Sequence, residues 1–155
     1  MALFAAVIIT DQALTVAGYS MISLQFAGSA ARAQHILDAW RAAHAIDAAW
    51  LNTRVDFAFL LVYPPAFALA CRELAQRLAG QGAARCGTWL SAAVLACMPL
   101  DAIENLALLY MLDHGGNDFA AGLATSCALP KFLLAGAAIV YCGYGTARLR
   151  RTPVE

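Results

Sequence analysis

The residues of this chain that could do chemistry are ionisable side chains set in apolar surroundings. Asp101, Glu104 and Asn105 stand at positions i, i+3 and i+4, a spacing that puts them on one face of a helix. Asp56 and Lys131 interrupt two other apolar stretches of the sequence. Carboxyl and amide groups in this pattern can bind a cation or a polar ligand, or transfer a proton.

The depth of these side chains in a bilayer can be estimated from the rise of about 1.5 Å per helical residue. Counted from the cytoplasmic end of each predicted span, four charged residues lie at about 20–24 Å, in the outer half of the membrane. These residues are Asp56, Asp101, Glu104 and Lys131. Asp11 and Tyr63 are expected at a lower level. An ionised group near the bilayer centre costs about 2.5–3.5 kcal/mol, so several at one level need a shared explanation.

That shared level predicts a cavity which binds a lipid-like or cationic small molecule. The residues predicted to bind it are Asp56, Tyr63, Asp101, Glu104, Asn105, Lys131 and Asp11. Lys131 is the expected internal counter-ion, with Arg54 as a further cation at the membrane surface. Four acids outnumber these cations, which favours an external cation or protonation of an acid. The alternative is that the same groups only hold the helices together through hydrogen bonds.

The composition shows what must position these residues. Hydrophobic residues make up 62% of the 155 residues and charged residues only 13%, and apolar stretches of 18 or more recur. We therefore predict an all-α protein, an integral membrane four-helix bundle that forms a single transmembrane domain over residues 1–155. The predicted spans cover about residues 2–26, 55–71, 88–112 and 119–145.

Two segments interrupt this simple pattern. Tyr63-Pro64-Pro65 removes two backbone donors, which predicts a kink or a broken helix in the second span. Residues 29–51 mix charges with Trp40 and Trp50, which favours an additional interfacial helix between spans one and two with tryptophan at headgroup depth. The same segment is equally well explained as an extension of the second span. A turn is predicted at residues 113–118.

The distribution of arginine predicts the orientation. Arg72, Arg77 and Arg85 follow the second span, and three more arginines follow the fourth, whereas the turn after the third span has no Lys or Arg. Both termini are therefore expected in the cytoplasm. Zero formal net charge excludes a basic surface for nucleic acid. Five cysteines without a C-x-x-C pair, and three scattered histidines, predict no metal and no cofactor.

The stretch Pro99-Leu100-Asp101-Ala102-Ile103-Glu104-Asn105-Leu106 resembles an element of small uncharacterised bacterial polytopic membrane proteins, which carry an intramembrane Asp-x-x-Glu-Asn. This resemblance implies the bacterial inner (plasma) membrane. A long first loop, a proline-broken second span and intramembrane acids also give a looser topological likeness to the emopamil-binding family of sterol isomerases and sigma-2-type receptors. Asp56, Glu104 and Asn105 are the positions to compare with that family. That likeness implies intramembrane acids that face a lipid-like amine or carbocation.

The sequence leaves the function open between three classes. The first is the binding protein described above, with the bilayer and a lipid-like or cationic ligand as partners. The second is an assembly or accessory subunit of a larger membrane complex, with small residues of the first and fourth spans against foreign helices. The third is an isomerase-type membrane enzyme that uses one intramembrane carboxylic acid as its proton donor.

Overall fold

The computed structural model describes residues 2–78 and 80–151 of the chain, and 87% of these residues are helical, with no strand among them. The helices are α1 (Ala2–Val16), α2 (Met21–Gln25), α3 (Ala30–Ala42), α4 (Ile46–Phe59), α5 (Tyr63–Arg77), α6 (Gln81–Ala93), α7 (Cys97–His114) and α8 (Asp118–Arg151). A short 3-10 helix, Val94–Ala96, joins α6 to α7. The all-α class is confirmed.

Three helical segments are long and apolar enough to cross a membrane: Ile46–Arg77, Gly82–His114 and Asp118–Arg150. Each has 32 or 33 residues, more than the roughly 20 that a bilayer core requires. Between 17% and 39% of the residues in their most apolar windows are buried within the chain, so most of that surface needs lipid or another protein to cover it. These segments indicate an integral membrane protein.

The first predicted span differs from the helix that we observe. Residues 2–26 do not form one helix, because α1 ends at Val16 and Gly18 adopts a left-handed conformation with φ +89°. Glycine takes such a conformation without the steric strain that a Cβ brings. The 15 residues of α1 extend about 22 Å, less than a bilayer core, so α1 falls short of the length that the other three segments reach.

The segment between the first two predicted spans divides into two helices. His44, with φ +53°, separates α3 from α4, and α4 begins at Ile46 rather than near residue 55. Residues 46–51 therefore belong to an extension of the second span. Trp40 was expected at headgroup depth, but it is fully buried and its indole Nε1 donates to the carbonyl oxygen of Tyr19 over 2.9 Å. The apolar face of α3 therefore packs in the hydrophobic core.

The second predicted span is broken where the prolines predict it. Residues 60–62 form a turn, and α5 begins at Tyr63 with Pro64 and Pro65 in its first turn. Proline is tolerated there because the first amide groups of a helix have no partner within the helix. The third segment changes from α-helix to 3-10 helix at Val94–Ala96, which was not predicted. This 3-10 helix precedes Pro99, whose nitrogen cannot donate to the carbonyl oxygen of Leu95.

The chain folds into two compact units. Unit 1 contains the residues up to Leu60 and Pro99–Leu129. In it α1 packs against α4, and the core brings together Leu14, Trp40, Leu108, Met111 and Ala124 from several of its helices. Unit 1 therefore places α4 and most of α7 beside an apolar core.

Unit 2 contains Leu61–Met98 and the residues from Pro130 onward. In this unit α5 packs against α6 and the 3-10 helix, around a core of Cys71, Val94, Cys97, Ala138 and Tyr141. The hydroxyl group of Tyr141 donates to the carbonyl oxygen of Ala83 over 3.1 Å. This hydrogen bond ties α8 to α6.

The predicted turn between the third and fourth segments is present, and side chains hold it. The amide of Gly115 donates to the carbonyl oxygen of Met111 over 2.8 Å and ends α7, with Gly115 at φ +88°. Asn117 Oδ1 accepts from the amide of Ala120 over 3.0 Å and begins α8. The amide of Gly116 donates to Gln34 Oε1 over 2.8 Å, so the turn is also fixed to α3.

Gly116→Ala is expected to destabilise the protein by about 1–3 kcal/mol, the usual cost of overpacking. A Cβ at this position would meet the carbonyl oxygen of Ala30 and lie 2.9 Å from the amide nitrogen of Gln34, and neither backbone atom can move aside. Gly122→Ala is the control, since nothing lies within 4 Å of its added Cβ. Thermal unfolding in detergent compares the two, and equal midpoints would contradict the contact between the turn and α3.

Candidate functional site

Two of the predicted site residues are joined by a hydrogen bond in unit 1. Asn105 Nδ2 on α7 donates to Asp56 Oδ2 on α4 over 3.0 Å, although 49 residues separate them in the chain. Asn105 is 1% exposed, and Asp56 is half-buried. The bond places these two side chains at one level of unit 1.

Asp101 and Glu104 stand on the same helix as Asn105 and are equally buried. Asp101 is 1% exposed and Glu104 is fully buried, and both make interactions within the protein. Ile103, which precedes Glu104, is 42% exposed, and Leu106, which follows Asn105, is 60% exposed. The predicted face of α7 is therefore polar and buried, and the opposite face is apolar and exposed.

A second pair of buried polar side chains, Asn52 and Thr10, was not predicted from the sequence. Asn52 precedes Asp56 by four residues, so both side chains stand on one side of α4. Asn52 Nδ2 donates to Thr10 Oγ1 over 2.7 Å and to the carbonyl oxygen of Val7 over 3.1 Å. Asn52 and Thr10 are both more than nine-tenths buried. The i, i+4 spacing of Asn52 and Asp56 was the available signal, and it marks α4 as the helix that links α1 to α7.

Gln25 is a further buried polar residue of unit 1 that the sequence did not single out. Its side chain is 7% exposed, and Oε1 has no hydrogen-bond partner in the described part of the chain. Its backbone carbonyl accepts a hydrogen bond from Thr125 Oγ1 over 2.9 Å. An orphaned buried acceptor is the kind of group that a water molecule or a ligand satisfies.

The other three predicted site residues also make contacts within the protein. Asp11 Oδ1 accepts from the amide of Met21 over 2.7 Å and so supports the first turn of α2. Tyr63, in unit 2, packs its ring edge against Phe67 with 6.3 Å between the ring centroids. Lys131, also in unit 2, is 6% exposed, with Nζ 5.0 Å from the ring centroid of Phe132. The assignment of all three to a ligand site stays a prediction.

The arrangement in unit 1 allows a limited set of chemistry. Carboxyl groups can accept hydrogen bonds from a cationic ligand, or donate a proton when protonated, and the Asn105 amide orients one of them. Among the described residues, no group of three or more His, Cys, Asp or Glu side chains is placed to hold a metal ion. The fold and these residues describe an integral membrane protein with acidic side chains buried among its helices.

No protein-family model, curated protein or solved structure matches this chain.

The hydrogen bond between Asn105 and Asp56 can be tested by a double-mutant cycle with Asn105→Ala and Asp56→Ala. We expect a coupling free energy of about 0.6–1.7 kcal/mol, between the average and the maximum found by such cycles for hydrogen bonds between membrane helices. The measurement is reversible unfolding of the four proteins in mixed micelles. Thr10→Ala with Asn105→Ala is the control cycle. These two residues bond to different partners, so their effects on the free energy of unfolding should be additive. A coupling of zero for the first cycle would contradict the contact.

Proposed function

We propose that this chain is a membrane binding protein whose acidic cavity takes up a lipid-like or cationic small molecule. Its centre would be Asp56, Asp101, Glu104 and Asn105 in unit 1, with Asp11 of the same unit as a further ligand residue. The observation that carries the proposal is the hydrogen bond from Asn105 to Asp56, beside two buried acids on the same helix. It brings polar groups of α4 and α7 together in an apolar unit.

The burial of Asp101 and Glu104 supports a role in ligand binding. Hydroxyl and amide side chains commonly join membrane helices by hydrogen bonds, as Asn52 and Thr10 do here. Asp101, Glu104 and Asn105 instead concentrate on one buried face of α7. In an environment of low dielectric constant, a bound cation would interact with such carboxyl groups more strongly than in water.

We further propose a four-helix bundle in the bacterial inner membrane, with α1 and α2 in place of a continuous first span and α3 near the membrane surface. Both termini would lie in the cytoplasm. The support for this orientation is the distribution of arginine. Arg72 and Arg77 lie in the second half of α5, Arg85 lies in α6, and three more arginines lie in the last two turns of α8.

The proposed ligand class is tested with Asp101→Asn and Glu104→Gln, which keep the shape of each side chain and remove its charge. The probes are a lipid-like tertiary amine and its neutral carbon isostere, added to the protein in nanodiscs. We expect the amine to raise the unfolding midpoint of the unmodified protein and to bind each variant about tenfold or more weakly. The reason is that a hydrogen bond to a charged group contributes about 1.5–3 kcal/mol.

Asp47→Asn is the matched control, because Asp47 is an acid in the first turn of α4, away from the polar face of α7. It should leave amine binding unchanged. Equal binding of amine and isostere, together with variants that behave as the unmodified protein does, would contradict the proposal. Conversion of a bound isoprenoid or sterol-like molecule by the pure protein would instead assign the acids to an isomerase.

An accessory subunit is the second candidate function, and α8 supplies the observation that favours it. Gly136 and Gly143 are two helical turns apart, and nothing lies within 4 Å of a Cβ added at either position. Glycine at such spacing lets a second helix approach closely in a membrane. The partner would be a helix of another membrane protein.

Substitution of both glycines by leucine, Gly136→Leu with Gly143→Leu, is expected to remove such a partner from protein extracted in mild detergent. The measurement is the stoichiometry of the purified complex by mass spectrometry. Ala137→Leu is the control, since Ala137 is exposed but about 100° away around the helix. A monomer or homodimer in the unmodified preparation would exclude the accessory-subunit role.

A further inference from the structure

A cavity lies in unit 2, at the end where two candidate spans terminate. Ile46–Arg77 and Asp118–Arg150 both end in an arginine, and both arginines line the same cavity of about 400 Å³. Its lining residues are Glu73, Leu74, Arg77, Thr146, Leu149 and Arg150. None of them belongs to the acidic site in unit 1. Because a span ends where the hydrocarbon gives way to headgroups, we expect this cavity at headgroup depth.

The walls of the cavity are amphipathic. Leu74 and Leu149 are half-buried and pack against the core of unit 2, so they present an apolar wall. Thr146 adds a hydroxyl group, which donates to the carbonyl oxygen of Cys142 over 2.7 Å. Arg77 and Arg150 are exposed and stand at the terminal turns of the two helices. Apolar and cationic surface therefore meet in one cavity.

The charge around the cavity is positive. Arg77 Nε donates to Glu73 Oε1 over 2.7 Å, an i, i+4 pair that orients the guanidinium group. Arg72 and Arg148 stand in the same helical ends, so four arginines accompany one glutamate there. A guanidinium group binds a phosphate through two parallel hydrogen bonds, a geometry that lysine cannot offer.

We propose that this cavity binds an anionic phospholipid. Its phosphate lies against Arg77 and Arg150, and the upper part of an acyl chain lies along Leu74 and Leu149. The charge complementarity selects an anionic headgroup, and the apolar wall with the position at a span end selects a lipid over a soluble phosphate. The proposal stands apart from the function of the acids in unit 1, since it uses different residues in a different unit.

The test is a titration of the purified full-length protein in neutral detergent micelles with phosphatidylglycerol and with phosphatidylcholine, followed by native mass spectrometry. The unmodified protein should prefer phosphatidylglycerol. Arg77→Gln and Arg150→Gln should each weaken its binding about fivefold, and the double variant about 25-fold. Arg150→Gln leaves the Glu73–Arg77 pair intact, so its effect reports on the lipid alone.

Arg32→Gln and Arg41→Gln in unit 1 are the matched controls, because both arginines are exposed. Neither should change the preference for phosphatidylglycerol. Leu149→Gln should weaken binding of the whole lipid, because it removes part of the apolar wall. Glycerol phosphate, which is the headgroup alone, should bind at least roughly tenfold more weakly than the lipid. The proposal is overturned by equal binding of the two lipids, by an unchanged preference in the double variant, or by glycerol phosphate binding as tightly as the lipid.

Discussion

A bilayer cannot hydrate a charged or polar side chain, and this constraint accounts for how residues are distributed in the structure. Many large apolar side chains are exposed on the candidate spans, among them Leu69, Leu106, Leu133, Ile139 and Val140. Four polar side chains of the same segments, Asp101, Glu104, Asn105 and Lys131, are more than nine-tenths buried. A water-soluble helical protein has the opposite arrangement, so burial and hydropathy together indicate a protein built for lipid.

The same constraint makes α4 the central helix of unit 1. Asn52 reaches α1 through Thr10, and Asp56, one turn later, reaches α7 through Asn105. Each of these bonds satisfies a group that would otherwise be costly to bury. Both bonds lie on one side of α4. The acids of α7 lie in the same unit, whose core is apolar, and this is the basis of the proposed binding role.

Much of the architecture follows from the sequence, and the exceptions have physical causes. Apolar length predicts the three long segments, Pro64 and Pro65 predict the break before α5, and the i, i+3, i+4 spacing on α7 predicts its buried polar face. Gly18 ends α1 early, but glycine is also common within membrane helices, so its left-handed conformation could not be anticipated. Trp40 is buried by tertiary packing with Tyr19, a contact between segments that local pattern does not encode.

The most direct test of the central claim is the accessibility of α7 in a lipid bilayer. Nitroxide labels placed one at a time at residues 103–110, in protein without its native cysteines, report collisions with oxygen and with a water-soluble nickel complex. We predict high oxygen accessibility at 103, 106 and 110, minima at 104, 105 and 108, and little access for nickel at any of these positions. A flat profile, or oxygen maxima at 104 and 105, would contradict a buried polar face.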